Sequence, residues 1–204
     1  VFVSSRYEDG TDAVDSSPDG VAWTERALPA GPGFGYIQSL SFATDTFLVT
    51  HYMDEGGEYA LDGGATSVDG VTWTFRNVPA LETDGGDGMA QAGSMMKIGG
   101  LYVLVSSGNL TENYVTTTNF SSFTARTAPF PIGVYRSNDP VVAFGKAFVG
   151  HAGGIAYTED GLSWTAGLTG DWVLFFDGVR LIAKGSAGVK HSTDGISWTT
   201  VSGT

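Results

Sequence analysis

The chain has 204 residues, is 42% hydrophobic and 12% aromatic, contains no cysteine, and carries a formal net charge of -12. That apolar content predicts a single packed domain, while the acidic balance repels phosphate backbones and argues against nucleic acid as a partner. No apolar run is long enough for membrane insertion, and the absence of cysteine excludes disulfides, thiolate metal sites and cysteine nucleophiles.

The opening VFVSS, from Val1, reads as a strand and is followed by an acidic loop over Asp9–Asp15. Then comes SSPDGVAWTER from Ser16, a string that rhymes with TSVDGVTWTFR from Thr66, YTEDGLSWTAG from Tyr157 and HSTDGISWTTV from His191. Aligned as S/T-x-D-G-x-x-W-T, the copies place Asp19, Asp69, Asp160 and Asp194 four residues before Trp23, Trp73, Trp164 and Trp198. A degenerate copy, TTNFSSFT from Thr117, carries Asn119 for Asp, Phe120 for Gly and Phe123 for Trp. The repeats divide the chain at about 1-30, 31-80, 81-129, 130-168 and 169-204.

Between copies the sequence reads as β-structure. AQAGSMMKI, a Gly99-Gly100 turn, LYVLVSS and YVTTTN precede the degenerate copy; VVAF with AFVGH, and WVLFF with RLIAK, repeat that order further on. Short apolar runs bounded by glycine turns are strand signals, and runs apolar on both faces suit sheets stacked on sheets. Units of roughly 40 residues with four antiparallel strands each predict an all-β, five-bladed β-propeller. Counted back from Trp23, VFVSS aligns with second strands, so the first blade is predicted to lack its innermost strand, unless residues upstream of Val1 or another chain supply it. In the motif, Asp-Gly supplies the backbone of a tight hairpin, Ser or Thr pins the turn, and the Trp packs between strands or blades.

S-x-D-G-x-x-W-T resembles the Asp-box of bacterial-neuraminidase-type repeats, and SPDGVAWTERALPA and SVDGVTWTFRNVPA are similar to propeller repeats of bacteriophage tail and virion proteins. The first resemblance implies that Asp19, Trp23, Asp69, Trp73, Asn119, Phe123, Asp160, Trp164, Asp194 and Trp198 are structural and lie away from the binding face. The second implies a virion or extracellular setting, with a host-surface glycan or protein receptor and other virion proteins as partners.

A sialidase-like glycosidase would need three converging arginines, but Arg26, Arg76 and Arg126 each follow a motif ring by three residues and are repeat equivalents on outer strands. Arg6, Arg136 and Arg180 remain, and Arg180 falls in a strand turn. No G-x-S-x-G elbow is present, and His51, His151 and His191 have no metal-type spacing. GPGFGY from Gly31 precedes a strand and not a helix, so it is no phosphate loop. No cofactor is expected; calcium, held by Asp54, Glu55, Asp84 and Asp87, is the alternative weighed for the acidic loops.

Loop length points to a site. Connections at one end of the blades are long around Asp9–Asp15, Gly31–Tyr36, Asp54–Gly64, Leu81–Gly88 and Pro129–Asp139, whereas HAGG and GSAG in the last units are minimal. Tyr7, Tyr36, Tyr52, Tyr59, Tyr114, Tyr135 and Arg136 fall in or beside the long loops and form the candidate ligand-binding set. The expected function is non-enzymatic recognition, with a glycoside hydrolase and a structural virion decoration domain as alternatives.

Overall fold

The computed structural model describes the chain except residues 9–10, 30–35, 56–57, 61–62, 80–90, 108–110, 134–139, 152, 171 and 202–204. It gives the backbone alone at 7–8, 11–12, 36, 38, 51–55, 58–60, 91–92, 107 and 111. The described residues contain strands and turns and no helix.

Every sheet is antiparallel and follows the sequence order. The first has three strands, β1 (Phe2–Glu8), β2 (Thr11–Ser17) and β3 (Thr24–Arg26). VFVSS therefore begins the strand that pairs with the motif-bearing β2, as second strands do in later units, and no innermost strand is described. The next sheet runs β4 (Tyr36–Ala43), β5 (Thr46–Glu55), β7 (Gly64–Ser67) and β8 (Thr74–Arg76), with β6 (Glu58–Ala60) paired to the far end of β5. The expected Asp54–Gly64 loop is thus in part a two-stranded ribbon, in which Met53 faces Ala60 and Glu55 faces Glu58.

The third and fourth units share one eight-stranded sheet. The third comprises β9 (Gln91–Ile98), β10 (Leu101–Ser107), β11 (Thr111–Thr117) and β12 (Thr124–Gly133); the fourth comprises β13 (Val141–Ala143), β14 (Lys146–His151), β15 (Gly154–Thr158) and β16 (Thr165–Thr169). They are joined because β12 runs straight on, so that Ile132 pairs with His151 and Gly133 with Gly150. Residues 129–133, expected in a loop, are therefore strand. The last sheet is β17 (Trp172–Phe176), β18 (Leu181–Gly185), β19 (Gly188–Ser192) and β20 (Thr199–Val201).

Sheets buried on both faces need apolar residues at successive positions, and the cores use them that way. Leu48 and Leu104 fill the space between the second and third units, while Phe47 and Val49, then Val103 and Val105, pack on the opposite faces of their strands. Among the described residues four such cores lie between consecutive units, and none of them joins the last unit to the first. The described chain is an open, propeller-like series of stacked sheets.

Candidate functional site

Consider first the end that carries the repeated motif. In each copy the Ser or Thr hydroxyl oxygen accepts from the backbone N–H three residues on: Ser17 from Gly20 at 2.8 Å, Ser67 from Gly70 at 2.8 Å, Thr117 from Phe120 at 2.9 Å, Thr158 from Gly161 at 2.8 Å, and Ser192 from Gly195 at 2.7 Å. The Asp carboxylate oxygen then accepts from the next two free N–H groups, at 2.8 Å from both Val71 and Thr72 for Asp69. The same pairs form at Asp19, Asp160 and Asp194. These donors stabilise the ionised carboxylate, which holds Asp69 down to about 2 and lowers Asp19, Asp160 and Asp194 as well.

The residue after each Asp or Asn must adopt a left-handed backbone. Gly70 has φ 68°, and Phe120, its counterpart in the degenerate copy, adopts φ 58° despite its side chain. Phe120 is buried with its ring 4.5 Å from that of Tyr102, and this packing offsets the local strain. Trp23, Trp73, Phe123, Trp164 and Trp198 each stand one residue ahead of the outer strand and not on it, closing the turn. Trp73 and Trp164 are buried between units, and Trp23 is half exposed. Arg26, Arg76 and Arg126 donate from Nε to Ser16, Thr66 and Thr116, at 2.7, 2.8 and 3.2 Å, ten residues earlier in each repeat. Arg180 is bound to Asp177 in the β17–β18 turn, which lies at this same end. Charged groups here are committed to the scaffold.

The opposite end is less regular. Strand β4 slips register by one residue against β5 between Ile37 and Ser39, and β9 slips against β10 between Ala92 and Ser94. In the fourth unit two steps along β14, from Gly150 to Phe148, match eight along its partner, from Gly133 to Val141. An insertion thus interrupts the innermost strand near the level where the two preceding units carry bulges. Bulges and insertions at strand ends re-aim backbone groups and are common beside sites.

Five of the candidate residues are described. The register sets Tyr36 opposite Tyr52 and Tyr59 opposite Asp54, and Tyr7 lies opposite Asp12 at the end of the first hairpin. Tyr114 leaves the set: it sits inside β11, 1% exposed, with its ring edge-on to Trp164 at 5.8 Å and its hydroxyl donating to the Leu162 carbonyl at 3.0 Å. Its position in a strand whose faces are both covered explains why no loop exposes it. Tyr135 and Arg136 lie outside the described residues, as do Asp84 and Asp87 of the calcium alternative. Among the described residues no three metal-ligating side chains converge.

Two further polar features lie at this end, of which only His151 is named by the sequence. Ser39 and Thr50 share a hydrogen bond of 2.8 Å beside the β4 bulge. His151, opposite Ile132, accepts at Nδ1 from the Gly153 N–H at 3.0 Å, and its ring lies 4.9 Å from that of Phe130. Burial pushes its pKa down, so the neutral ring carries its proton on Nε2, which is buried and meets no acceptor among the described residues. Only the HAGG turn hints at this in sequence, through the glycine whose N–H His151 receives.

No family model matches the chain, and no curated protein matches it. Among solved structures, the chain is similar to apo AztD from Citrobacter koseri, with TM-score 0.50 and 10% identity over 98% of this chain and 60% of that one. A second Citrobacter koseri AztD structure gives TM-score 0.50 at 11% identity over 98% and 59%. An α-L-arabinofuranosidase from Podospora anserina, in complex with cellotriose, aligns at TM-score 0.42 and 12% identity over 86% and 70%. The chain spans about three fifths of the AztD chains, and at these identities the likeness is one of fold.

Proposed function

We propose that the repeating units are five blades of a β-propeller whose irregular end is a non-enzymatic recognition surface, with a glycan as its ligand. The observation that carries this is the contrast between the two ends. At the motif end turns are short and their polar groups are bound internally, whereas the other end holds the β5–β6 ribbon, two bulges and a strand insertion. Binding groups concentrate where a rigid scaffold presents variable connections. Tyr36 and Tyr52, adjacent in register, with Tyr59 and Asp54 on the ribbon, supply rings and a carboxylate of the kind that stack on sugar faces and bond hydroxyl edges.

A glycosidase reading fares worse. Arg26, Arg76, Arg126 and Arg180 are engaged at the motif end, and Arg6 is bound to Asp15 and Glu25, which leaves no converging set among the described residues. The setting suggested by the repeat resemblance is a phage fibre or other virion-attached or extracellular protein that contacts a host glycan or receptor. The test is a glycan array with the purified chain, followed by Tyr52→Ala and Tyr59→Ala. Selective binding lost in both variants at unchanged melting temperature supports the reading, and hydrolysis of a bound sugar would replace it with the glycosidase.

A further inference from the structure

The turn that closes each motif asks very little of the second residue after the Asp. That residue gives only its backbone N–H to the carboxylate, as Val21, Val71, Leu162 and Ile196 do at 2.9, 2.8, 2.7 and 2.8 Å. In the degenerate copy Ser121 makes the same bond to Asn119 at 2.9 Å. Any residue but proline can do so, and exposed turns ordinarily carry polar ones. All four Asp copies nevertheless place a branched apolar side chain there, 83%, 42%, 45% and 54% exposed in chain order. None of the four belongs to a core among the described residues. The first-to-second-strand turns at this end add Phe42 and Val179, both more than half exposed. Val71 and Phe42 belong to the second unit and Leu162 to the fourth, each flanked by units on both sides, so this is not the exposure of an uncovered sheet face. Clustered exposed apolar groups of this kind mark contact surfaces.

The charges beside these tips are of one sign. Lys97, Lys146 and Arg180 are each taken by another acid, Asp45 at 2.7 Å, Glu159 at 3.1 Å and Asp177 at 3.1 Å. Asp19, Asp69, Asp160 and Asp194 are exposed and bond N–H and hydroxyl groups, and they meet no cation among the described residues. Their lowered pKa values keep them ionised at neutral pH. A second copy docked by the same end would set these carboxylates against their equivalents, and an anionic lipid surface would be repelled in the same way. A basic partner satisfies both the charge and the apolar tips.

We propose that the motif end docks on another protein, at a surface where lysine or arginine side chains stand among apolar ones. Such a contact buries the turn tips and pairs the four motif carboxylates. It holds the chain by the end opposite the irregular one, leaving that end free, and it stands independently of what the irregular end binds.

Amide NMR of the labelled, purified chain, titrated with three synthetic peptides, tests this: one alternating leucine with lysine, one with glutamate in place of lysine, and one with serine in place of leucine. The leucine–lysine peptide should shift the signals around Val71 and Leu162, and the other two should bind at least about tenfold more weakly. Val71→Ser combined with Leu162→Ser, both on the plan of Ser121, should weaken that binding about tenfold, while circular dichroism and melting stay unchanged. The proposal is overturned if no peptide shifts those signals, or if the serine–lysine peptide binds as well as the leucine–lysine one, since charge alone then explains the contact. A mass that rises with concentration in the parent but not in the double variant would assign the face to a second copy and overturn it. Binding to phosphatidylcholine vesicles that the double variant loses would assign the face to lipid, with the same consequence.

Discussion

Truncating the motif tryptophans separates a scaffold role from a ligand role most sharply. Trp73 is 7% exposed and shares a core with Val14, Phe47, Val49 and Ala65, with its ring centre 6.5 Å from that of Phe47; Trp164 is equally buried and meets Tyr114 edge-on. A buried tryptophan removes about 200 Å² from water, worth about 5 kcal/mol at about 25 cal/mol per Å². Neither Nε1 meets an acceptor among the described residues, so the cost is mainly that of the lost packing. Trp73→Ala and Trp164→Ala should each cost about 3–5 kcal/mol. For a chain of this length that lowers the melting temperature by about 6–20 °C. Trp23→Ala, which removes a ring already 45% exposed, should cost about half as much or less. Thermal denaturation followed by circular dichroism measures all three. If Trp73→Ala melts like the parent and loses a ligand instead, the packing argument is refuted.

Acid should unfold the chain through the same turns. Because the folded carboxylates sit below their usual value, their contribution is complete above about pH 4 and disappears as pH falls toward about 2, the value for Asp69. Melting temperatures measured against pH should therefore drop in that window, and Asp69→Asn, whose amide can accept as Asn119 does from Ser121, should flatten the drop; an unchanged slope would contradict this. Tyr114→Phe should cost about 1 kcal/mol through loss of the bond to Leu162, without altering glycan binding. Chelators should leave the melting temperature unchanged, and a chelator-sensitive transition would instead favour calcium at the acidic loops.

Periodic features were the legible ones. An Asp-Gly pair four residues before an aromatic ring specifies a turn whose hydrogen bonds are all local, so it was readable even at Asn119, where only the Thr117 frame and the spacing to Phe123 survive. The place of VFVSS as a second strand followed from the same spacing. Tyr114 was misread because its neighbours, Asn113 and the polar run before it, look like loop sequence; the ring's burial depends on Trp164, which is 50 residues away and invisible to local pattern. The ribbon at Met53–Ala60 was legible in principle, since Gly56-Gly57 between MDE and EYA is a hairpin signal, but its acidic flanks read as solvated loop.

The two ends of the units are under different physical constraints, and that difference is the argument for placing the proposed recognition surface at the irregular one. At the motif end a residue change has fixed costs. A Cβ on Gly195 would come within 2.2 Å of the Phe148 ring, and removing the Asp194 carboxylate would leave the Ile196 and Ser197 N–H groups without their acceptor. At the other end the backbone has already accepted a one-residue bulge in β4, another in β9 and an insertion beside β14, with the cores behind them intact: Val49, Val105 and Val149 remain fully or almost fully buried directly alongside. A surface whose length and chemistry vary while the packing beneath it does not is suited to acquiring a ligand. Lengthening the connection between Gly133 and Val141 by a few residues should therefore change what the chain binds while leaving its melting temperature within about 2 °C, the scale of a neutral surface change. A large loss of stability would show instead that the insertion is part of the core's support and not a free presentation loop.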